Sequence, residues 1–190
     1  MSEPLSPVSE KVHAAVELRP AWRLSDPAIE RDAEIFWKRE GVLGPRADVP
    51  KRLSELCMAA YVDGEVVGLT SAAIQQIDSL RCKLAMFRCA VARTIRSQRV
   101  ASQLTLATRD LLEAWSRDNP DEEVLGFGCI VQSRVLVENH RWAVWPDNHL
   151  AFVGYTPRGY PMRVYWFQHA KIAPYWPGIT RDQQRPPESA

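Results

Sequence analysis

A chain of 190 residues with 46% hydrophobic and 25% charged residues has the size and make-up of one globular domain, which excludes two full catalytic domains, wholesale disorder and a fibrous protein. Its 24 basic and 23 acidic residues leave a formal charge of +1. No global field therefore recruits nucleic acid or an anionic membrane, and any basic site must be local. Cys57, Cys82, Cys89 and Cys129 form no CxxC pair and stand at no zinc-ligand spacing from a histidine. They read as reduced core thiols, and no metal is expected. With no secretory signal and no stretch near the roughly 18 apolar residues of a membrane span, a cytoplasmic protein is expected.

Residues 1–14 are polar and proline-bearing, and residues 170–190 are similar, so a folded domain over 15–169 between two mobile ends is expected. A short strand near Ala15 to Arg19 opens it. Ser25-Asp26-Pro27 then supplies a capping side chain and a proline suited to a first helical turn. Ile29, Ala33, Phe36 and Trp37 recur on one face of that helix, and Gly41 and Gly44 stop it. A second short helix is expected to carry Leu53 and Leu56. From Cys57 to Thr70, two apolar runs flank Asp63-Gly64, a hairpin signal. Leu84 to Ala92 is the next strand.

A long amphipathic helix follows from about Gln98 to Ser116, with Val100, Leu104, Leu111 and Trp115 on one face, ended by Asn119-Pro120. Val124 to Val131 reads as a buried strand and Val135 to Val144 as a helix. Leu150 to Tyr155 and Arg163 to Phe167 form a closing hairpin. The order strand, two helices, three strands, helix, strand, helix, two strands predicts a mixed-sheet α/β fold.

The chemistry concentrates where the strand ending at Val91 runs through a short polar loop into the long helix. A helix N-terminus there presents free backbone N–H groups and the positive end of its dipole, an anion site. Arg93, Arg96 and Arg99 add three cations within seven positions, a density suited to a multiply charged phosphate ligand.

Val91, then Arg96-Ser97-Gln98-Arg99-Val100-Ala101, then Leu104 resembles the donor motif of the GNAT superfamily of acyl-CoA-dependent N-acyltransferases. There a valine ends the fourth strand and Gln/Arg-x-x-Gly-x-Gly/Ala opens the following helix. The resemblance extends more softly from about Val16 to Phe167. It implies a mostly antiparallel mixed sheet, flanked by about four helices and splayed between its fourth and fifth strands. It also implies acetyl-CoA or a longer acyl-CoA as co-substrate, with a carrier-protein-bound donor left open. Val91, Ala92 and Arg93 would contact pantetheine, and Arg96, Ser97, Gln98, Arg99, Val100, Ala101 and Ser102 would hold the pyrophosphate. Arg99 replaces the family's central glycine. It either swings outward to a phosphate oxygen or obstructs the donor.

In many members an asparagine near the start of the helix after the fifth strand bonds the pantetheine arm, and a tyrosine on that helix protonates the leaving thiolate. Asn139 is the candidate for the first. No tyrosine lies in Val135 to Trp145, so His140 and Tyr155 are the alternatives for the second. The usual strand glutamate is missing, since Met86, Phe87 and Arg88 occupy its region. Glu138, His140 and Asp78 are the candidate bases.

Arg88 interrupts an apolar strand and needs a partner or a solvated cleft. It either faces the acceptor groove and binds an acidic group of the substrate, or pairs with a structural carboxylate. The eight aromatic residues between Trp142 and Phe167 read mostly as core, with some free to line a groove. The expected partner is an amine-bearing acceptor: a peptide, a protein or a small molecule. No nucleic acid is expected, and a homodimer is left open. The competing readings are a catalytically inactive CoA- or peptide-binding module and an arginine-loop binder of nucleic acid or phosphopeptide.

Overall fold

The computed structural model describes residues 15–95 and 98–172. Seven strands form one sheet in the order β1-β2-β3-β4-β5-β7-β6. Strand β1 is Glu17–Pro20, followed by helices α1, Pro27–Glu40, and α2, Val49–Ser54. Then come β2, Leu56–Val62, β3, Glu65–Ile77, and β4, Cys82–Val91. Helix α3, Gln98–Asp118, leads to β5, Val124–Ile130, the short helix α4, Arg134–Asn139, and the strands β6, Ala151–Tyr155, and β7, Pro161–Trp166. The element order is the one expected from sequence.

Local chemistry sets the boundaries. The Asp26 carboxylate accepts from the Ala28 and Ile29 N–H groups at the start of α1, with Pro27 in the first turn. Gly41 closes the helix at φ 64°, a left-handed conformation that costs glycine no steric penalty. Asp48 caps α2 by accepting from the Lys51 N–H. Asp63 and Gly64 both have positive φ, 50° and 79°, which matches the twist of the β2–β3 hairpin they connect.

Strand β2 is apolar on both faces because both are covered. Ala59 and Tyr61 pack with Ile29, Ala33 and Phe36 of α1, while Met58 and Ala60 pack with Val100 and Leu104 of α3. At Gly68 on β3 the helix comes so close that an added Cβ would lie 2.7 Å from Leu104 Cδ1.

Several sequence expectations are corrected. Leu56 is the first residue of β2 and not part of the second helix. Helix α4 ends at Asn139, because residues 140–150 are drawn into a loop around Arg163. That side chain is buried, and its guanidinium donates to the carbonyls of His140, Trp142, Ala143 and Leu150. The buried stripe of α3 runs Val100, Leu104, Thr108, Leu112, Ser116, leaving Leu111 and Trp115 on its flank. Among the cysteines, Cys89 is exposed and not in the core. Of the eight aromatic residues between Trp142 and Phe167 only Phe167 is buried, while Trp142, Phe152, Tyr155 and Tyr160 are exposed. The expected mobile segment 1–14, and the tail from 173 onward, lie outside the described residues.

Candidate functional site

Strand β4 pairs antiparallel with β3 along its whole length, from Ile77↔Cys82 to Gly68↔Val91. Its parallel pairing with β5 is shorter, running only from Lys83↔Val124 to Met86↔Gly128. Beyond Met86 and Gly128 the two strands part. Successive peptide groups of a strand point to alternate sides. Along residues 87–91 the groups directed away from β3 therefore have no strand partner among the described residues.

The opening is a cleft of about 670 Å³, walled by Met86 to Cys89 and Val91 of β4, Cys129 to Ser133 after the split, and Ala101 and Thr105 of α3. Its surface is largely apolar, with Gln75, Gln132, Ser133 and Asn148 as polar points. Helix α3 begins beside it, and the N–H groups of a first helical turn have no intrahelical acceptors. The cleft thus combines free peptide groups, an apolar wall and a helix N-terminus. Those features suit a long ligand with an amide-bearing arm and an anionic head.

A second concavity of about 620 Å³ lies on the other side of Arg88, between α2 and the middle of β3. Gln75 and Arg88 wall both this concavity and the cleft. The Arg88 guanidinium donates to Glu55 Oε2 at 2.8 Å, and Arg52 Nη1 approaches the same oxygen at 3.5 Å. Glu55 is 8% exposed, whereas the Arg88 side chain is 41% exposed and forms walls of both cavities. Both readings of Arg88 describe part of this geometry: it has a structural carboxylate partner, and it also faces open grooves. Burial, and then the charge of Arg88, hold the Arg52 guanidinium below its ordinary pKa, with Glu55 opposing.

A third chamber, about 410 Å³, is bounded by α4, the loop after it, and β6–β7. It contains His140 and Tyr155 and shares Val131, Leu136 and Trp145 with the cleft.

Of the residues proposed from sequence for the donor, Val91 and Ala101 line the cleft. The Ala92 N–H is taken by the Val67 carbonyl at 2.8 Å. The Arg93 N–H is taken by Glu40 Oε2 at 3.1 Å, which holds the Glu40 carboxyl below its usual range despite the opposing effect of burial. Neither backbone N–H is therefore free to donate to a ligand. The Val100 side chain is core, 1% exposed, so only its backbone can serve a ligand. Arg99 and Ser102 are exposed in the first turns of α3. Arg96 and Ser97 lie outside the described residues, as does the side chain of Gln98.

Among the remaining candidates, Glu138 is paired with Arg134 at 2.7 Å, and Asn139 sits at the far end of α4. Neither lines the cleft. The polar residues that do so at the start of α4 are Gln132 and Ser133, seven and six residues before the asparagine chosen from sequence. Asp78 lies in the exposed β3–β4 turn. Sequence reading also missed Glu55, which only the fold brings against Arg88. Among the described residues no three His, Cys, Asp or Glu side chains are grouped to hold a metal ion. No helix among them is long and apolar enough to cross a membrane.

These features define an α/β protein whose sheet is split between two parallel strands, with a long helix starting at the mouth of the split. No protein-family model matches the sequence, and no curated protein matches it. Solved structures do. An acetyltransferase of the GNAT family from Streptococcus pneumoniae is 12% identical over 80% of this chain and 99% of its own, with a TM-score of 0.54. The GNAT domain of S. lividans PAT is 12% identical over 80% and 90%, with a TM-score of 0.50. A structure described as a bacterial toxin is 12% identical over 83% and 93%, with a TM-score of 0.54. The chain has the GNAT fold.

Proposed function

We propose that the chain is an acyl-CoA-dependent N-acyltransferase that passes an acetyl or longer acyl group to a primary amine of a peptide, protein or small molecule. The observation that supports it is that Gln75 and Arg88 wall two concavities at once, one bounded by the unpaired edge of β4 and the start of α3, the other by α2 and β3. A donor in the first and an amine in the second would come together there, and holding two reactants in register supplies much of the rate of such a transfer.

In this reading the free peptide groups of 87–91 hold the amide-bearing arm of the donor. The start of α3, with Arg96, Ser97, Gln98 and Arg99, holds its pyrophosphate. The amine nitrogen attacks the thioester carbon, the carbonyl oxygen becomes negative, and collapse expels the thiolate, which takes a proton. His140 and Tyr155, in the chamber that adjoins the cleft, are the groups we assign to proton transfer. Glu138 would have to release Arg134 before it could act as a base.

A second reading, a CoA-binding module without turnover, is favoured by one feature: among the described residues lining the cleft there is no carboxylate and no histidine. Mass spectrometry of the purified protein for bound CoA species, followed by thiol-release assays with acetyl, medium-chain and long-chain donors and a panel of amines, separates the two. Turnover that falls about 100-fold in Tyr155→Phe or His140→Ala would support the catalytic reading. Tight CoA binding with no thiol release from any donor would leave the binding module.

A further inference from the structure

The pocket between α2 and β3 has an unbalanced charge. Its walls carry Arg23, Lys51, Arg52 and Arg88 against only two carboxylates, Asp48 and Glu55. Asp48 is engaged in capping, accepting from the Lys51 N–H at 3.1 Å. Glu55 therefore faces two guanidiniums alone, and both converge on one oxygen, Oε2. The Arg52 contact is long and is split with Ser71 Oγ, also at 3.5 Å. Each guanidinium has five N–H donors, so most remain unused around that single oxygen. Burial first, and then the charge of Arg88, hold the Arg52 guanidinium below its ordinary pKa, with Glu55 opposing both. Trp22, in the same wall, carries a buried indole N–H with no acceptor among the described residues.

We propose that this pocket binds a carboxylate of the acceptor between Arg52 and Arg88, so that the acyl group is delivered to a primary amine on a molecule that also carries an acid group. A guanidinium matches a carboxylate with two parallel N–H···O bonds. Arg88 also borders the donor cleft, so a substrate anchored on it has its amine within reach of the thioester. Glu55 is a positioning residue that fixes Arg88 from behind. The proposal rests on the acyltransferase reading of the cleft and narrows its substrate.

The test uses matched amines that differ only in charge: β-alanine and β-alaninamide, γ-aminobutyrate and its amide, glutamate and glutamine, and tripeptide amides with Glu or Gln in second place. The carboxylate member of at least one pair should be preferred in kcat/KM by about 10- to 100-fold. Arg88→Gln should erase that preference through the acceptor KM. Arg88→Lys should restore only part of it. Glu55→Gln keeps an amide oxygen to accept from Arg88 but removes the negative charge that competes with the substrate carboxylate, and should lower KM for the acid, an effect that a purely structural pair would not produce. Binding of glutarate against glutaramide, measured by calorimetry on wild type and Arg88→Gln, reads the pocket without turnover. Thiol release that proceeds equally well with acid and amide in every pair would overturn the proposal and spare the acyltransferase reading. Glutarate binding that needs Arg88, with no turnover of any amine, would support the anion pocket and count against that reading. No glutarate binding together with no turnover would overturn both.

Discussion

Gly68→Ala tests whether the contact between β3 and α3 sets the mouth of the cleft. The added methyl would sit 2.7 Å from Leu104 Cδ1, 3.3 Å from the Ala90 carbonyl oxygen and 3.5 Å from Val100 Cγ1. Leu104 is fully buried, so its end cannot swing into solvent, and the helix must move outward by a fraction of an ångström. Overpacking of this kind costs about 1–3 kcal/mol. Replacing a strand glycine by alanine returns about 0.5–1 kcal/mol of chain entropy. The net expectation is a loss of about 1–2 kcal/mol in urea unfolding. The contact lies under the first turns of α3, so CoA affinity by calorimetry should fall with it. The double variant Gly68→Ala/Leu104→Val should recover at least about 1 kcal/mol relative to the sum of the single effects. Unchanged stability in Gly68→Ala, or strict additivity in the double variant, would refute the claim that this contact seats the helix.

Ala101→Trp, at the cleft wall in the first turn of α3, should weaken CoA binding more than about tenfold by filling the space while leaving the melting temperature within a few degrees of wild type. Thr108→Val should cost about 1–3 kcal/mol in denaturant. It removes the 2.7 Å partner of the buried Thr70 hydroxyl, leaving only the Met58 carbonyl at 3.5 Å. Thr70→Val/Thr108→Val should cost less than the sum of the two single changes. Burial, then the 2.9 Å bond to Asp32, pushes the Tyr61 hydroxyl up from 10.0 to about 12. A folded pKa above the unfolded one gives stability that is complete below pH 10 and lost as pH rises toward 12. Tyr61→Phe should therefore be less stable near neutral pH, by about 1 kcal/mol, and the two unfolding curves should converge between pH 10 and 12. Parallel curves would contradict the assignment.

Periodicity and turn chemistry were enough to order the elements. Asp26-Pro27 with Gly41 marks both ends of α1, and Asp63-Gly64 fixes the β2–β3 hairpin, because capping and left-handed turns depend on residues close in sequence. Arg88 was conspicuous for the same local reason, a cation within an apolar strand. Other features were hidden because their partners are distant in sequence. Thr108 and Ser116 break the apolar stripe of α3, yet they are buried because Thr70 and the Val124 carbonyl satisfy their hydroxyls. Arg163 looks like an ordinary strand residue until four carbonyls from 140–150 gather around it, shortening α4.

By itself, then, the sequence determined the succession of strands and helices and the place where a strand hands over to a helix, both properties of neighbouring residues. Tertiary structure alone decided where the split expected between β4 and β5 begins, beyond Met86 and Gly128. It also decided that Glu55 meets Arg52 and Arg88, and that Ala92 and Arg93 spend their N–H groups on Val67 and Glu40. A backbone donor is available to a ligand only if no other part of the chain has reached it first, and that is a fact about packing across the whole fold.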